Sequence, residues 1–369
     1  MFIHEQTEWP NFRWDEAGLA SLLAQVRHCQ GLLLGRMTSL GFDLQQEASL
    51  LIRTQDAVST SRIEGEILNT ASVRSSLARQ LGLEIAGAIP SERTVDGLVE
   101  VLIDATRNYA EPLSEERLFG WHAALFPAGR SGMHRITVGD WRNDEKGPMQ
   151  VVSGPLGRQK VHFQAPGHAR LHTEMRRFLI WFNAPDRTDP VMKSAIAHFY
   201  FVTLHPFDDG NGRIARAIGD MQLARSEKTE FRFYSMSAQI QREKNTYYDT
   251  LESCQKGTLD LSAWIAWYLH CHMRAVEAAE SILLSVTGKA SFWRHHASVS
   301  LNDRQSTMLN RLLDGFDGKL TSSKWAKIAK CSQDTAQRDI NDLIAKSILE
   351  KSAASGRSTN YELIQGKDR

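Results

Sequence analysis

The stretch "TLHPFDDGNGRIARA", residues 203–217, sets a histidine, two aspartates, two glycines around an asparagine, and two arginines three apart into one short span. It closes an apolar helical run, "PVMKSAIAHFYFVTLHPF", and opens another helix, "IARAIGDMQLARS". Gly210 and Gly212 therefore fall where a turn needs positive φ and where backbone N–H groups converge at a helix N-terminus, a place that binds anions. Arg213 and Arg216 share one helix face and add permanent charge in planar donor forks suited to phosphate. That pairing points to a di- or triphosphate over a lone carboxylate. Asp209 can hold Mg²⁺ between phosphate oxygens, because magnesium takes one or two carboxylates and completes its shell from substrate and water. His205, with an ordinary pKa near ~6.5, suits removal of a proton from a hydroxyl. Base, metal ligand and phosphate cradle together describe phosphoryl or nucleotidyl transfer. A plain polar turn is the competing reading, but GxxxxGK[ST], GxGxxG and an EF-hand ladder are all absent, so the composite needs its own explanation.

Outward from this stretch the chain reads as mainly α. Its 369 residues, 42% hydrophobic and 24% charged, suit a soluble chain of two or three domains. The formal charge of +1 supplies no global field towards nucleic acid or anionic lipid, so any basic site is local. Cys29, Cys254, Cys271 and Cys331 form no CxxC pair, which fits reduced thiols. With no basic-then-apolar leader and no long apolar run, a cytoplasmic protein with no membrane partner is expected. Helical periodicity over about residues 15–85 predicts an N-terminal helical domain at 1–90. A Gly and Pro break leads to helices near 95–108 and after Ser114, a predicted cap. Residues 133–166 are rich in Gly and Pro, and "MQVV" and "KVHF" around "SGPLGRQ" predict a hairpin. Helices resume, with 91–285 as the central domain, and "KASFWRHHASVS" is expected as a polar connection. Residues 296–369 read as helix, helix-turn-helix and two short strands, the pattern of a winged helix.

"HPFDDGNGRIAR" resembles the Fic family signature HxFx(D/E)GNGRxxR at every defined position. "WPNFRWD", "WHAALFPAG", "GDWRNDEKGPMQVVSGPLGRQKVHFQAP" and the C-terminal pattern are likewise similar to longer bacterial members, so the likeness covers nearly the whole chain. The resemblance implies a Fic helical core with a β-hairpin flap, and protein adenylyltransfer: AMP moves from ATP to a Ser, Thr or Tyr hydroxyl and pyrophosphate leaves. It makes His205 the general base, Asp209 the Mg²⁺ ligand, and Gly210, Asn211 and Gly212 the anion hole. Arg213 would hold the β-phosphate and Arg216 the γ-phosphate, while Phe207 would anchor the loop from below. Asp208, the variable position, is expected as a solvated or capping carboxylate.

In "VSTSRIEGE", residues 58–66, Thr60 and Glu64 lie four apart on one helix face, with Gly65 giving room beside the carboxylate. "TSRIEG" resembles the family's inhibitory pattern (S/T)xxxE(G/N). The likeness implies that Glu64 pairs with Arg216 and displaces the γ-phosphate, which makes the chain an auto-inhibited enzyme; removal of AMP by a water held at Glu64 is the hydrolytic alternative. The hairpin at 149–166 is expected to take up target main chain along its edge, "MQVV". His168 and His172, four apart, lack a third ligand and read as surface histidines. Residues 301–369 hold twelve Lys and Arg against nine Asp and Glu. Such a weak positive balance favours protein docking over a DNA-binding regulator that senses nucleotide through the Fic body. A homodimer is the default expectation for a soluble chain.

Overall fold

The computed structural model describes the chain apart from residues 86, 146, 155–157, 314–315, 317, 353–358 and 365–369. Helix boundaries follow local capping chemistry. Asp15 accepts the Gly18 N–H at 2.9 Å to start α1, Glu16–Thr38. Asn69 caps α3, Thr70–Leu81, and the expected Ser114 cap opens α5, Glu115–Leu125, by accepting the Arg117 N–H at 3.2 Å. Between them lie α2, Phe42–Ile63, and α4, Arg93–Arg107. Two short strands, β1 Arg130–Ser131 and β2 His134–Arg135, pair in a hairpin that the sequence pattern did not predict. Two-residue strands carry no readable alternation.

The expected flap is present as β3, Gln150–Ser153, against β4, Lys160–Gln164, antiparallel with an irregularity between Val151 and Val152. Its turn, at 155–157, lies outside the described residues. Then come α6, His168–Asn183; α7, Pro190–Leu204; and α8, Asn211–Glu227. Helix α7 starts with an Asp189 cap and Pro190, and every side chain from Val191 to Leu204 is buried. A helix apolar on all sides belongs at the centre of a body. It packs along α8, while α2 packs on α3, α8 and α9, Met236–Arg242. A buried polar seam anchors α2: Arg53 donates to Thr106 Oγ1 at 2.8 Å and to the Glu230 carbonyl, and Asp56 accepts from Ser235 Oγ at 2.5 Å.

Helix α10, Lys244–Gln255, is followed by α11, Ser262–His295. The helix runs through residues 289–295, so most of the expected connection at 289–300 is helical. Its Lys, Ala, Phe and Arg content supports a helix, and neither Pro nor Gly interrupts it after Gly288.

Chain contacts divide the fold into two units, Met1–Ile282 and Leu283–Arg369. The expected boundary at 90/91 falls inside the first, where α3 and α4 pack together. The second unit contains α12, Asp303–Leu313; α13, Ser322–Ile328; α14, Gln333–Ala345; and the antiparallel pair β5, Leu349–Lys351, and β6, Tyr361–Leu363. Its core gathers Met308, Leu309, Trp325, Ile340, Leu343 and Tyr361. The predicted loop between the two strands falls largely on residues 353–358, outside the described ones. No helix among the described residues is long and apolar enough to cross a membrane.

Candidate functional site

Helix α7 ends at His205, whose left-handed backbone (φ 49°, ψ 57°) turns the chain away from the helix axis. His205 Nδ1 lies 3.1 Å from the Val202 carbonyl. A carbonyl only accepts, so Nδ1 carries the proton and Nε2 keeps its lone pair. Burial lowers the His205 pKa, with Arg142 acting in the same direction, against the opposing effects of the Val202 bond and the Glu64 and Asp209 charges. The ring is thus held neutral, with its basic nitrogen available.

The loop from 206 to 210 is fixed by its own side chains. Phe207 is fully buried and stacks on His122, with centroids 4.1 Å apart and planes 6° from parallel. Asn211 clamps the same residue, accepting the Phe207 N–H at 2.9 Å and donating to its carbonyl at 2.7 Å. The Asn211 side chain is therefore committed to the loop, and what it offers an anion comes from its backbone. Gly210 adopts φ +83°, and a Cβ there would meet the Phe126 ring at 2.8 Å. Ile214 N–H to Gly210 O is the first bond of α8, so the N–H groups of residues 211–213 precede the helical ladder. Asp208 accepts the Thr137 N–H at 2.8 Å and ties down the segment after β2. Asp209 accepts from Ser131 Oγ at 2.5 Å and keeps 42% of its side chain exposed beside Arg213.

Both arginines are buried, and each is held by an acid from the end of α2. Arg216 donates from Nε to Thr60 Oγ1 at 2.7 Å, and from Nη2 to the Thr60 carbonyl at 3.1 Å and Glu64 Oε1 at 2.7 Å. Arg213 donates to Glu66 Oε2 at 3.0 Å and lies over the Phe126 ring. The end of α2 explains the spacing of the acids. Gly65 N–H bonds the Arg62 carbonyl and Glu66 N–H bonds the Ser61 carbonyl, with Gly65 at φ +88°. This pair of bonds is a Schellman cap, which needs a left-handed residue at Gly65. Apart from its two chain neighbours, no atom lies within 4 Å of a Cβ built there, so the positive φ of the turn is reason enough for a glycine. Lys244 of α10 adds a bond to the Ile63 carbonyl at 2.5 Å.

A cleft of about 590 Å³ opens between β3, β4 and α10, with His205, Gly212 and Glu64 on its floor. Sequence reasoning missed several residues that shape it. Tyr247 and Tyr248 line one wall, Tyr247 bonding His198 Nε2 at 3.0 Å. Arg142, fully buried, donates to the His205 carbonyl at 2.7 Å and to the Pro166 carbonyl at 2.5 Å, tying the loop to the chain after the flap. Glu66 was missed because its partner lies 147 positions away. His168 bonds the Arg142 carbonyl, and His172 is exposed 4.0 Å from Glu115. Among the described residues no group of three or more metal-ligating side chains occurs. Asp209, a single half-exposed carboxylate beside a phosphate-type cradle, fits magnesium carried on a nucleotide, which takes the rest of its shell from phosphate and water.

A family model described as "Fic/DOC family" matches residues 112–223, and one described as "Domain of unknown function (DUF4172)" matches residues 2–83. The chain is 31% identical over 132 residues to a protein adenylyltransferase Fic of Culex quinquefasciatus, covering 34% of this chain and 25% of that protein. It thus spans about a quarter of the length of the curated relative it matches. A Fic family protein from Desulfovibrio desulfuricans G20 shares the fold at a TM-score of 0.55 and 20% identity, covering 97% of this chain and 98% of that one. A Fic domain containing signaling protein from Bacteroides thetaiotaomicron VPI-5482 aligns at a TM-score of 0.51 and 16% identity, over 72% of this chain and 96% of that one. The Fic/DOC family match takes in residues 203–217.

Proposed function

We propose that the chain is an auto-inhibited protein adenylyltransferase, which moves AMP from ATP to a hydroxyl of a target protein or of itself. The observation that carries this reading is the joint state of His205 and Arg216: the base is neutral with Nε2 available, while the buried arginine is taken by Glu64 and Thr60. In the active state Glu64 leaves Arg216, which then holds the γ-phosphate, and Arg213 holds the β-phosphate. His205 Nε2 accepts the hydroxyl proton as the target oxygen bonds to the α-phosphorus. The bond from that phosphorus to the bridging oxygen breaks, and pyrophosphate departs with the electron pair. Backbone N–H groups at 211–213 orient the α-phosphate, and Gly212 allows its close approach. Asp209 would hold magnesium, which supplies charge neutralisation to the departing phosphates. Loss of one such donor typically raises a barrier by about 3–4 kcal/mol.

The hairpin would pair with target main chain, its exposed Val151 and Val152 facing the cleft of His205. Tyr247 and Tyr248 are suited to the face of a nucleobase. ATP labelled at the α- or γ-phosphate, given to wild type, Glu64→Gly and His205→Ala, tests the reading. Protein-bound label from the α position, raised by Glu64→Gly and lost in His205→Ala, is expected; label from the γ position alone would make the chain a kinase. A pre-modified target that loses AMP only when Glu64 is intact would favour the hydrolytic direction.

For the C-terminal unit the favoured reading is a winged helix that docks protein. Arg304 is engaged by Asp339 at 2.8 and 3.1 Å, and Lys346 by Asp342 at 2.5 Å, so these two bases are already neutralised. Duplex DNA binding that weakens steeply with salt would reverse this choice.

A further inference from the structure

Beside Arg213, given the β-phosphate above, lies a second cavity of about 250 Å³ whose other residues have no role so far. Its polar lining is Ser61, Glu66, Thr94, Arg130, Ser131 and Arg213, and Phe126 belongs to its apolar wall. Two buried groups of this lining find no partner among the described residues: Arg213 Nε, on a side chain 6% exposed, and Ser61 Oγ, on a residue with no exposure. Unpaired polar atoms in a closed protein interior are costly, so a cavity lined by them suits a ligand rich in acceptors. Ser131 reaches Asp209 Oδ2, which sets the cavity next to the carboxylate proposed for magnesium. Arg213 meets Glu66 at 3.0 Å and Asp209 at 4.0 Å, while Arg130 donates to the Met133 carbonyl at 3.2 Å; the Glu66 side chain is 50% exposed and can swing towards solvent. Several donors, two fixed positive charges and a movable acid match a compact polyanion with many oxygens, and a diphosphate is the species the proposed reaction would release here.

We propose that this chamber receives the departing pyrophosphate, with Arg130 as its outer ligand and Glu66 as the carboxylate that closes it. The inference rests on the adenylyl-transfer reading. When the bond from the α-phosphorus to the bridging oxygen breaks, that oxygen keeps the electron pair and its new charge meets Arg213 at the chamber wall. The proton of the target hydroxyl has meanwhile gone to His205, so nothing further is consumed. Glu66 returning to Arg213 would then expel the product.

The test is a titration of inorganic pyrophosphate into the full-length Glu64→Gly protein followed by ³¹P NMR, alongside pyrophosphate inhibition of labelled AMP transfer. Adding Arg130→Ala, at an exposed side chain, should weaken pyrophosphate binding about tenfold, as expected for loss of one charge-assisted contact, and leave the KM for ATP within about twofold. Adding Glu66→Gln should tighten pyrophosphate binding, which a merely structural role for Glu66 does not predict. Unchanged pyrophosphate binding in Arg130→Ala overturns the chamber. So does an equal rise in the KM for ATP, which would assign Arg130 to the nucleotide site. If no variant transfers AMP, the reaction reading fails, while the NMR titration still decides for or against a pyrophosphate site.

Discussion

Glu64 Oε1 lies 2.7 Å from Arg216 Nη2, and the same oxygen fills the space that a Cβ on Gly212 would enter. One carboxylate therefore takes both a phosphate-type arginine and the open backbone at the start of α8. On the proposed function this is competition for a site, since a phosphate cannot share it with a carboxylate.

Glu64→Gly should raise AMP transfer by about 5- to 150-fold, the usual span of a coupling between two competing occupants. Initial rates with α-labelled ATP decide this. A rate equal to wild type would show that the carboxylate does not limit the enzyme.

Thr60→Val keeps the side-chain volume and removes the oxygen that accepts from Arg216 Nε. A buried donor left without a partner costs about 1–3 kcal/mol. Urea unfolding should register that loss, with the midpoint lowered at unchanged slope; an unmoved midpoint would mean that solvent or a neighbour replaces the hydroxyl.

Gly65→Ala places a Cβ on a residue at φ +88°, a conformation that costs a non-glycine residue about 1–2 kcal/mol. Beyond its two chain neighbours nothing lies within 4 Å of that Cβ, so the cost is mainly conformational. The variant should lose stability by that amount and gain AMP transfer, as the turn that carries Glu64 and Glu66 loosens. Equal stability would show that the cap tolerates a side chain.

Acid pH should act on rate and stability separately. The lowered pKa of His205 keeps Nε2 unprotonated below the ordinary imidazole value, so the acid limb of kcat/KM for Glu64→Gly should lie below pH ~6.5. Burial lowers His122 to about 4, and His198 and His272 each to about 3. Between pH ~6.5 and those values the unfolded chain binds protons that the folded chain does not, so the stability present above ~6.5 falls as pH drops, by about 1.4 kcal/mol per pH unit for each histidine. Denaturant midpoints at pH 7.5 and 5 test this, and equal midpoints would count against neutral burial of the three rings.

Much of this was legible in the sequence where residues act through near neighbours. His205, Asp209, the Gly210–Gly212 turn and the arginines sit within one helix junction, and chain adjacency alone brings them together. Thr60 and Glu64 were readable as one helix face, but their meeting with Arg216 spans more than 150 positions and needed the resemblance to suggest it. Arg142, His122, Tyr247 and Glu66 carried no local signal: an arginine or histidine whose partner is a distant carbonyl looks like any surface residue. The positive φ of Gly65 was not legible, because a string of letters does not separate a glycine needed for its φ from one needed for its smallness. The helix through residues 289–295 was missed because polarity was taken for a break, although no residue there stops a helix.

The cap at Gly65 also sets how the acids would come away. Glu64 and Glu66 hang from one helical turn secured by a few hydrogen bonds, so fraying of that turn would free Arg216 and Arg213 together. On the proposed function, the fraction of competent protein at rest would follow the local opening equilibrium of the end of α2, which amide hydrogen exchange at Gly65 and Glu66 reads directly. Resting activity should track that exchange rate across variants, whichever residue of the turn is altered.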